Sequence, residues 1–393
     1  MTHLRGSRHL GWIAGLALLV SAAAQAQATR PLQDVETTAR EAILIDFDTG
    51  AVLLAKNADV KMPPSSMSKL MTAYMIFERL QAGTLKMDDM MTVSQNAWRK
   101  GGAASGGSTM FLNLGGRASV GDLIRGMIIQ SGNDACIVLA EAYAGTEERF
   151  AELMTKRARE LGLGSSTFKN STGLPDPEHL TTARDLARLA KLLITNFPEH
   201  YKIYSEPSFT HNGIKQDNRN PLLGRRSGAD GLKTGHTEIA GYGLTASVKR
   251  GDRRLILVVN GFRTMAERAQ ESERLMEIGF REFDNYKLVK SGVTVDQADV
   301  WLGQAAKVPL VTGADLTTTM PRRLLPRLKA TAIYNSPLPA PLVKGAPVGK
   351  LVIGAPDMDP LEMPLLAGAD VERLDFFGRI GAAARYLVWG GAR

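Results

Sequence analysis

Three short strings in this 393-residue chain put reactive side chains at spacings suited to acyl transfer. In Pro64-Ser65-Ser66-Met67-Ser68-Lys69, a serine and a lysine stand three positions apart at the start of a helical apolar pattern running from Met67 to Leu80. Ser66 and Lys69 therefore fall on one face, a turn apart. A serine hydroxyl becomes a useful nucleophile only when a neighbouring base takes its proton. A lysine amine can be that base only if burial or nearby cations lower its pKa. A helix N-terminus helps twice, by disfavouring an ammonium and by leaving backbone donors free beside a reacting carbonyl. Alone, Ser-x-x-Lys is a weak signal, and an N-cap serine with an exposed lysine would account for it. Two further strings change that: Ser131-Gly132-Asn133, 65 residues on, and Lys233-Thr234-Gly235, 102 residues beyond that.

The elements that must hold these strings follow from periodicity. Alternating apolar residues in 42–47 and 52–55, joined through Asp48-Thr49-Gly50, predict a β-hairpin. Pro63 and Pro64 predict a helix starting near Ser65 or Ser66, capped by a hydroxyl. Helices are expected over 120–130 and 134–143, with Ser131-Gly132-Asn133 in the turn between them, and again over 150–161, 182–195 and 265–283. A second hairpin is expected from 242–248 and 254–260, with Lys233-Thr234-Gly235 just before it. After Tyr286 the texture changes to short β-like runs interspersed with Gly and Pro, among them 287–289, 300–302, 308–311, 325–329 and 348–353. These predict a small all-β domain without a catalytic cluster.

Serine, lysine and the two later motifs, in this order and in these contexts, are the set found in penicillin-binding proteins and serine β-lactamases, with Gly132 where Asp is usual. More closely, the chain resembles the low-molecular-mass penicillin-binding proteins that act as serine D-Ala-D-Ala carboxypeptidases. The likeness extends through Ser131-Gly132-Asn133-Asp134-Ala135-Cys136, Ser171-Thr172-Gly173-Leu174, Asn218-Arg219-Asn220 and Asp230-Gly231-Leu232-Lys233-Thr234-Gly235-His236-Thr237. The resemblance implies an α+β fold, helices packed on an antiparallel sheet, followed by a β-sandwich and a C-terminal amphipathic helix. It implies Ser66 as the acyl-accepting nucleophile and Lys69 as general base, with Ser131 relaying a proton and Asn133 holding the substrate amide. Whether Lys69 or a Ser131 relay takes the first proton stays open. Lys233, Thr234 and Arg219 would hold the terminal carboxylate, a role charge also favours. Gly235 belongs to the same wall, and the backbone N–H groups of Ser66 and His236 would form an oxyanion hole. The implied partners are peptidoglycan pentapeptide side chains, with β-lactams as covalent inhibitors of the same serine. A β-lactamase or a DD-endopeptidase on the same fold is the alternative, and a silent wall-binding protein the rival from another class. Neither metal nor cofactor is implied.

Composition fits this picture. The chain is 44% hydrophobic and 22% charged, as expected of a globular protein, and its net charge of +8 is compatible with nucleic acid, an anionic membrane or an acidic polymer. A single cysteine, Cys136, permits no internal disulfide and is read as a small packed hydrophobe. Residues 1–26 show a basic start, an apolar run from Leu10 to Val20 and the small-residue string Ala24-Gln25-Ala26. That is a secretory signal pattern, with an apolar stretch shorter than a spanning helix needs, and it argues for an exported protein and against cytosolic nucleic-acid work. The expected organisation is a signal peptide over 1–26, a catalytic domain over 30–285, a β-rich domain over 286–366 and an amphipathic helix over 367–393. This helix, with Phe376, Phe377, Tyr386 and Trp389 among arginines, suits a membrane interface. The expected location is the periplasm, peripherally attached to the outer face of the inner membrane. Asp176 and Glu178 are read as solvated loop carboxylates.

Overall fold

The computed structural model describes residues 35–224, 227–356 and 358–389. Its first unit is organised by a five-stranded antiparallel sheet with the strands in the order Val52–Lys56, Glu41–Asp46, Arg253–Phe262, Gly241–Arg250, Ala229–Thr237. Both faces of its centre are covered. That is why the middle strand carries the uninterrupted apolar run Leu255-Ile256-Leu257-Val258-Val259, every residue of which is buried. Ile256 and Val258 face a large helical core, whereas Leu255, Leu257 and Val259 face a smaller one. The smaller core is closed by the helix Met265–Glu282, whose Gly279 lies so close to Leu44 and Leu255 that a Cβ would come within 2.7 Å of both side chains.

On the other face the helix Lys69–Gln81 runs through the core. Its first nine residues are all buried, which explains why its apolar pattern is nearly continuous. Around it lie the helices Val120–Ile129, Asn133–Ala144, Glu147–Glu160 and Ala183–Asn196. Ser119, Thr146, Thr182 and Thr264 cap four helices through their hydroxyls, each cap worth about 1 kcal/mol.

The expected cap at Ser65 or Ser66 is not formed. Ser65–Ser68 is a 3₁₀ turn leading into the α-helix, and no side chain caps either. The hydroxyls are used elsewhere: Ser66 Oγ meets Lys69, and Ser65 Oγ lies 3.2 Å from Thr237 Oγ1. A second correction concerns Lys233-Thr234-Gly235, which lies inside the edge strand Ala229–Thr237 rather than ahead of the sheet. The hairpin Ser208–His211/Ile214–Asp217 was not expected, although its Asn212-Gly213 turn, both residues at positive φ, is a strong hairpin signal.

The second unit is all β. A six-stranded sheet and a two-stranded sheet pairing Phe283–Val289 with Leu316–Pro321 enclose a separate core. Within it, 325–327 belong to a 3₁₀ turn, Arg322–Arg327, and the strand begins only at Lys329. The units meet where Asp46 accepts hydrogen bonds from Arg253, Thr49 and Asn285, and where Thr49 meets Thr319. The terminal helix, described over Phe376–Trp389, begins later than the expected residue 367, because Val371 and Arg373 still bridge to the β domain. The expected signal segment lies outside the described residues.

Candidate active site

The 3₁₀ turn bearing Ser66 is wedged between the edge strand and the loop 170–174. Gly235 permits the strand's approach, since a Cβ there would lie 3.0 Å from the Pro64 carbonyl and 3.1 Å from Ser65 Cβ. Gly173 permits the loop's approach. It has φ +83°, and a Cβ would fall 1.8 Å from the Ser65 carbonyl oxygen. Sequence proximity thus explains the grouping within each element, such as the Ser66–Lys69 pair, and close backbone approach brings the strand and the loop to the serine turn.

Lys69 is 1% exposed, and its ammonium nitrogen donates to three oxygens: Ser66 Oγ at 2.9 Å, Asn133 Oδ1 at 2.8 Å and the Thr172 carbonyl at 2.6 Å. Burial lowers the pKa of its amine to about 8, helped by the charge of Arg219 and opposed by Cys136, Glu147 and Asp134. Lys233 is also buried and donates to the Thr234 carbonyl at 3.0 Å. Burial, then repulsion from Lys69 and Arg219, pushes its pKa well below the ordinary lysine value.

An open cleft of about 390 Å³ lies over this cluster, lined by Ser66, Asn133, Arg219, His236 and Thr237 with parts of 106–108 and 172–174. Arg219 reaches across it to Ser108 Oγ at 2.6 Å. Lys69, Ser131, Lys233, Thr234 and Gly235 are buried in the surrounding wall. Ser131 sits at φ +68°, and its buried Oγ has no hydrogen-bond partner among the described residues. The ring of His236 stacks on Tyr242 with centroids 3.8 Å apart, so the imidazole is engaged in packing. Among the described residues no cluster of His, Cys, Asp and Glu could hold a metal.

Several supporting groups were not foreseen. Asp134, fully buried, accepts from the N–H groups of Met110 and Leu112 and from Thr109 Oγ1, tying the loop beside Ser108 to the helix that carries Asn133. Glu147 accepts from Ser171 N and Oγ, and Asn170 Oδ1 accepts from the N–H groups of Thr172 and Gly173. Together they aim the Thr172 carbonyl at Lys69. Below the serine turn, Ser68 Oγ lies 2.7 Å from His179 Nε2. Burial drives the pKa of His179 down to about 4, and its Nδ1 accepts from Lys169 N–H, so a neutral ring donates from Nε2 to Ser68. Cys136 is fully buried, and burial pushes its thiol up to about 12, as fits a packed hydrophobe. Glu178 is exposed and paired with Lys169, in keeping with a solvated loop carboxylate.

Residues 24–264 match the peptidase family described as D-alanyl-D-alanine carboxypeptidase. The chain belongs to that family. Residues 283–373 match the C-terminal domain of penicillin-binding protein 5. The D-alanyl-D-alanine carboxypeptidase DacC of Escherichia coli K12 is 43% identical over 374 residues, covering 94% of each chain. DacA of the same strain is 40% identical, covering 86% of this chain and 85% of its own. Among solved structures, the carboxypeptidase DacD of Francisella tularensis superposes with a TM-score of 0.77 at 32% identity, covering 86% of this chain and 95% of its own. Penicillin-binding protein 5 of Haemophilus influenzae gives 0.71 at 38% identity, covering 86% and 99%. The α+β unit followed by a β domain is thus the architecture of the low-molecular-mass penicillin-binding proteins.

One titration prediction arises here. Glu147 favours the charged form of Lys69, so Glu147→Gln, which keeps an oxygen for Ser171, should move the rising limb of activity to lower pH and raise acylation roughly twofold at pH 7. A β-lactam acylation rate measured from pH 5 to 10 tests this. A limb moved to higher pH would contradict it.

Proposed function

We propose that this D-alanyl-D-alanine carboxypeptidase removes the terminal D-Ala of peptidoglycan pentapeptides through an acyl-enzyme on Ser66. The observation that carries the reading is the buried Lys69 amine, 2.9 Å from Ser66 Oγ, whose pKa burial lowers to about 8. Neutral Lys69 Nζ takes the hydroxyl proton while Oγ attacks the carbonyl of the penultimate D-Ala. The backbone N–H groups of Ser66 and His236 receive the negative charge that develops on the carbonyl oxygen. As the C–N bond breaks, the proton held by Lys69 passes through Ser131 Oγ to the departing amine nitrogen, and free D-Ala leaves. Water then cleaves the Ser66 ester. Asn133, which already accepts from Lys69, has an amide N–H₂ for the substrate.

Arg219, Thr234 and Lys233 hold the chain-end carboxylate. An arriving anion favours the Lys233 ammonium, which reverses the effect of burial there. β-Lactams acylate the same serine, a reading supported by the ampicillin-bound penicillin-binding protein D2 of Listeria monocytogenes, 32% identical with a TM-score of 0.55.

The protein is exported by its N-terminal segment, cleaved near residue 26, and works in the periplasm. Its catalytic domain, expected to end at 285, gives way to the β-rich domain at the strand Phe283–Val289, and the β-rich domain, expected to end at 366, extends to the bridges at Val371 and Arg373. No helix among the described residues is long and apolar enough to cross a membrane. Peripheral attachment to the inner membrane instead uses the terminal helix, where Phe376, Phe377, Ile380 and Leu387 are 53–84% exposed. Phe377→Asp should cut cosedimentation with anionic vesicles by about tenfold and leave peptide hydrolysis unchanged. Equal cosedimentation would sink the attachment.

The activity is tested by incubating the mature protein with a muropeptide mixture and weighing the products. Loss of one alanine per pentapeptide supports a carboxypeptidase. Split cross-linked dimers indicate an endopeptidase, and unchanged muropeptides from folded protein refute both.

A further inference from the structure

The β domain is incompletely closed along one side. Between the strands Phe283–Val289 and Lys329–Tyr334 lies a cavity of about 480 Å³, lined by 287–290, Val293, Val295, 328–330, Leu351 and Ile353. Its floor is the domain's own core: Leu351 and Ile353 are buried there, and Leu288, Val289, Val295 and Leu328 pack against that core only in part. The opening has a cause in the sequence. Ala330 stands opposite Ile353 and Ala332 opposite Leu351, so both alanines share the inner face of the sheet with those buried residues. A larger apolar side chain at either place would cover the floor. Alanine leaves it open, and Ala330 itself is exposed.

The walls of the groove also carry unused backbone. Lys329–Tyr334 is the outermost strand of the six-stranded sheet and pairs only with Pro347–Gly354, while Phe283–Val289 pairs only with Leu316–Pro321. No backbone hydrogen bond joins the two across the cavity among the described residues. A free strand edge presents a row of N–H and C=O groups that another strand can take up. The rim is cationic. Lys287, Lys290 and Lys329 are exposed, and their side chains make no hydrogen bond or ion pair among the described residues. Two neighbouring acids are engaged elsewhere, Asp284 with Arg322 and Asp315 with the Ser291 N–H.

We propose that this groove is the docking site for an extended, acidic segment of a partner protein, which adds to the free edge of Lys329–Tyr334 as a further strand. Successive side chains of a strand point to opposite faces. A segment that alternates apolar and acidic residues therefore lays its apolar side on Leu351 and Ile353 and turns its carboxylates outward, toward the three rim lysines. Charge complementarity selects an acidic partner over a basic one. An anionic lipid would suit the lysines and the apolar floor but would leave the strand edges unpaired, and those edges are what favour a peptide. The groove shares no residue with the cleft over Ser66, so docking tethers the enzyme without entering its chemistry. This goes beyond the reading of the cleft and gives the β domain a role of its own.

The test titrates the mature protein into a fluorescent heptapeptide of alternating Val and Glu and follows anisotropy. The peptide should bind, with a Kd that rises with salt, and its Val/Lys counterpart should bind at least about tenfold more weakly. The double variant Lys287→Glu, Lys329→Glu should weaken the Val/Glu peptide by about tenfold or more. Ala330→Trp, which fills the groove without changing its charge, should abolish binding. Both variants should unfold cooperatively near the wild-type Tm, and if the tryptophan variant does not, the surface charge reversal decides alone. Bound peptide should slow amide hydrogen exchange along 329–334, the signature of an added strand. Absence of binding, equal binding of the two peptides, binding that survives the charge reversal, or binding without protection of 329–334 overturns the inference. So does binding of dihexanoyl-phosphatidylglycerol, in place of the peptide, that is lost in the same variants, since the groove would then be a lipid site.

Discussion

Lys69→Arg is expected to lower the rate of Ser66 acylation by about 10³-fold or more, the scale of losing a general base. Arginine keeps the positive charge and the donor capacity but does not release a proton at accessible pH, so it separates the base role from simple hydrogen bonding. Every oxygen around Lys69 Nζ, from Ser66, Asn133 and Thr172, could still accept a hydrogen bond from a cation at that place. Because a guanidinium is larger and the site is buried, Lys69→Met is the companion variant. It removes the base at similar volume and should show the same loss with a cooperative unfolding transition. Stopped-flow acylation by a chromogenic cephalosporin measures both. Either folded variant within tenfold of wild type would show that Lys69 is not the base.

Gly173→Ala should be nearly as damaging, though residue 173 does no chemistry. The position has φ +83°, where a Cβ costs about 1–2 kcal/mol in backbone strain alone. The clash is worse, because the new Cβ would lie 1.8 Å from the Ser65 carbonyl and 2.4 Å from its carbon, both backbone atoms. Relief requires moving the serine turn or the loop that presents the Thr172 carbonyl. Displacing the nucleophile by an ångström costs on the order of 10²-fold. The expected result is a loss of at least that size in kcat/KM, together with a fall in Tm. Wild-type kinetics in Gly173→Ala would mean that the turn and loop are not held in the register described.

Much of the site was legible because its chemistry is carried by side chains at fixed local spacing. Ser66 and Lys69 share a helical turn, Ser131 and Asn133 share one interhelical connection, and Lys233 to His236 share one strand. What stayed hidden is the way these are held together. The Thr172 carbonyl is a backbone atom without a residue signature, 103 positions from the lysine it accepts from. Glu147 and Asp134 read locally as first-turn helix acids, and only tertiary pairing reveals them as supports of the loops at the cleft.

The fold errors have similar causes. The strand Ala229–Thr237 carries glycines at 231 and 235 and lacks an alternating apolar pattern, so periodicity does not mark it. In the structure Asp230 is paired with Arg254 and Tyr201, which stabilises an extended chain there. The serines at 65 and 66 looked like caps because capping is their commonest use at a helix start. Here Thr237 and Lys69 compete for the two hydroxyls.

The most direct measurement is the pH dependence of the second-order acylation rate constant from pH 5 to 10.5. A base whose pKa has been lowered is active above that pKa and protonated below it. The rate should therefore rise through a limb centred near pH 8, the value at which burial holds Lys69. The limb should vanish in Lys69→Met. A rate still climbing toward the ordinary lysine pKa above 10, or a limb near pH 8 that survives Lys69→Met, would contradict a neutral Lys69 as the base that activates Ser66.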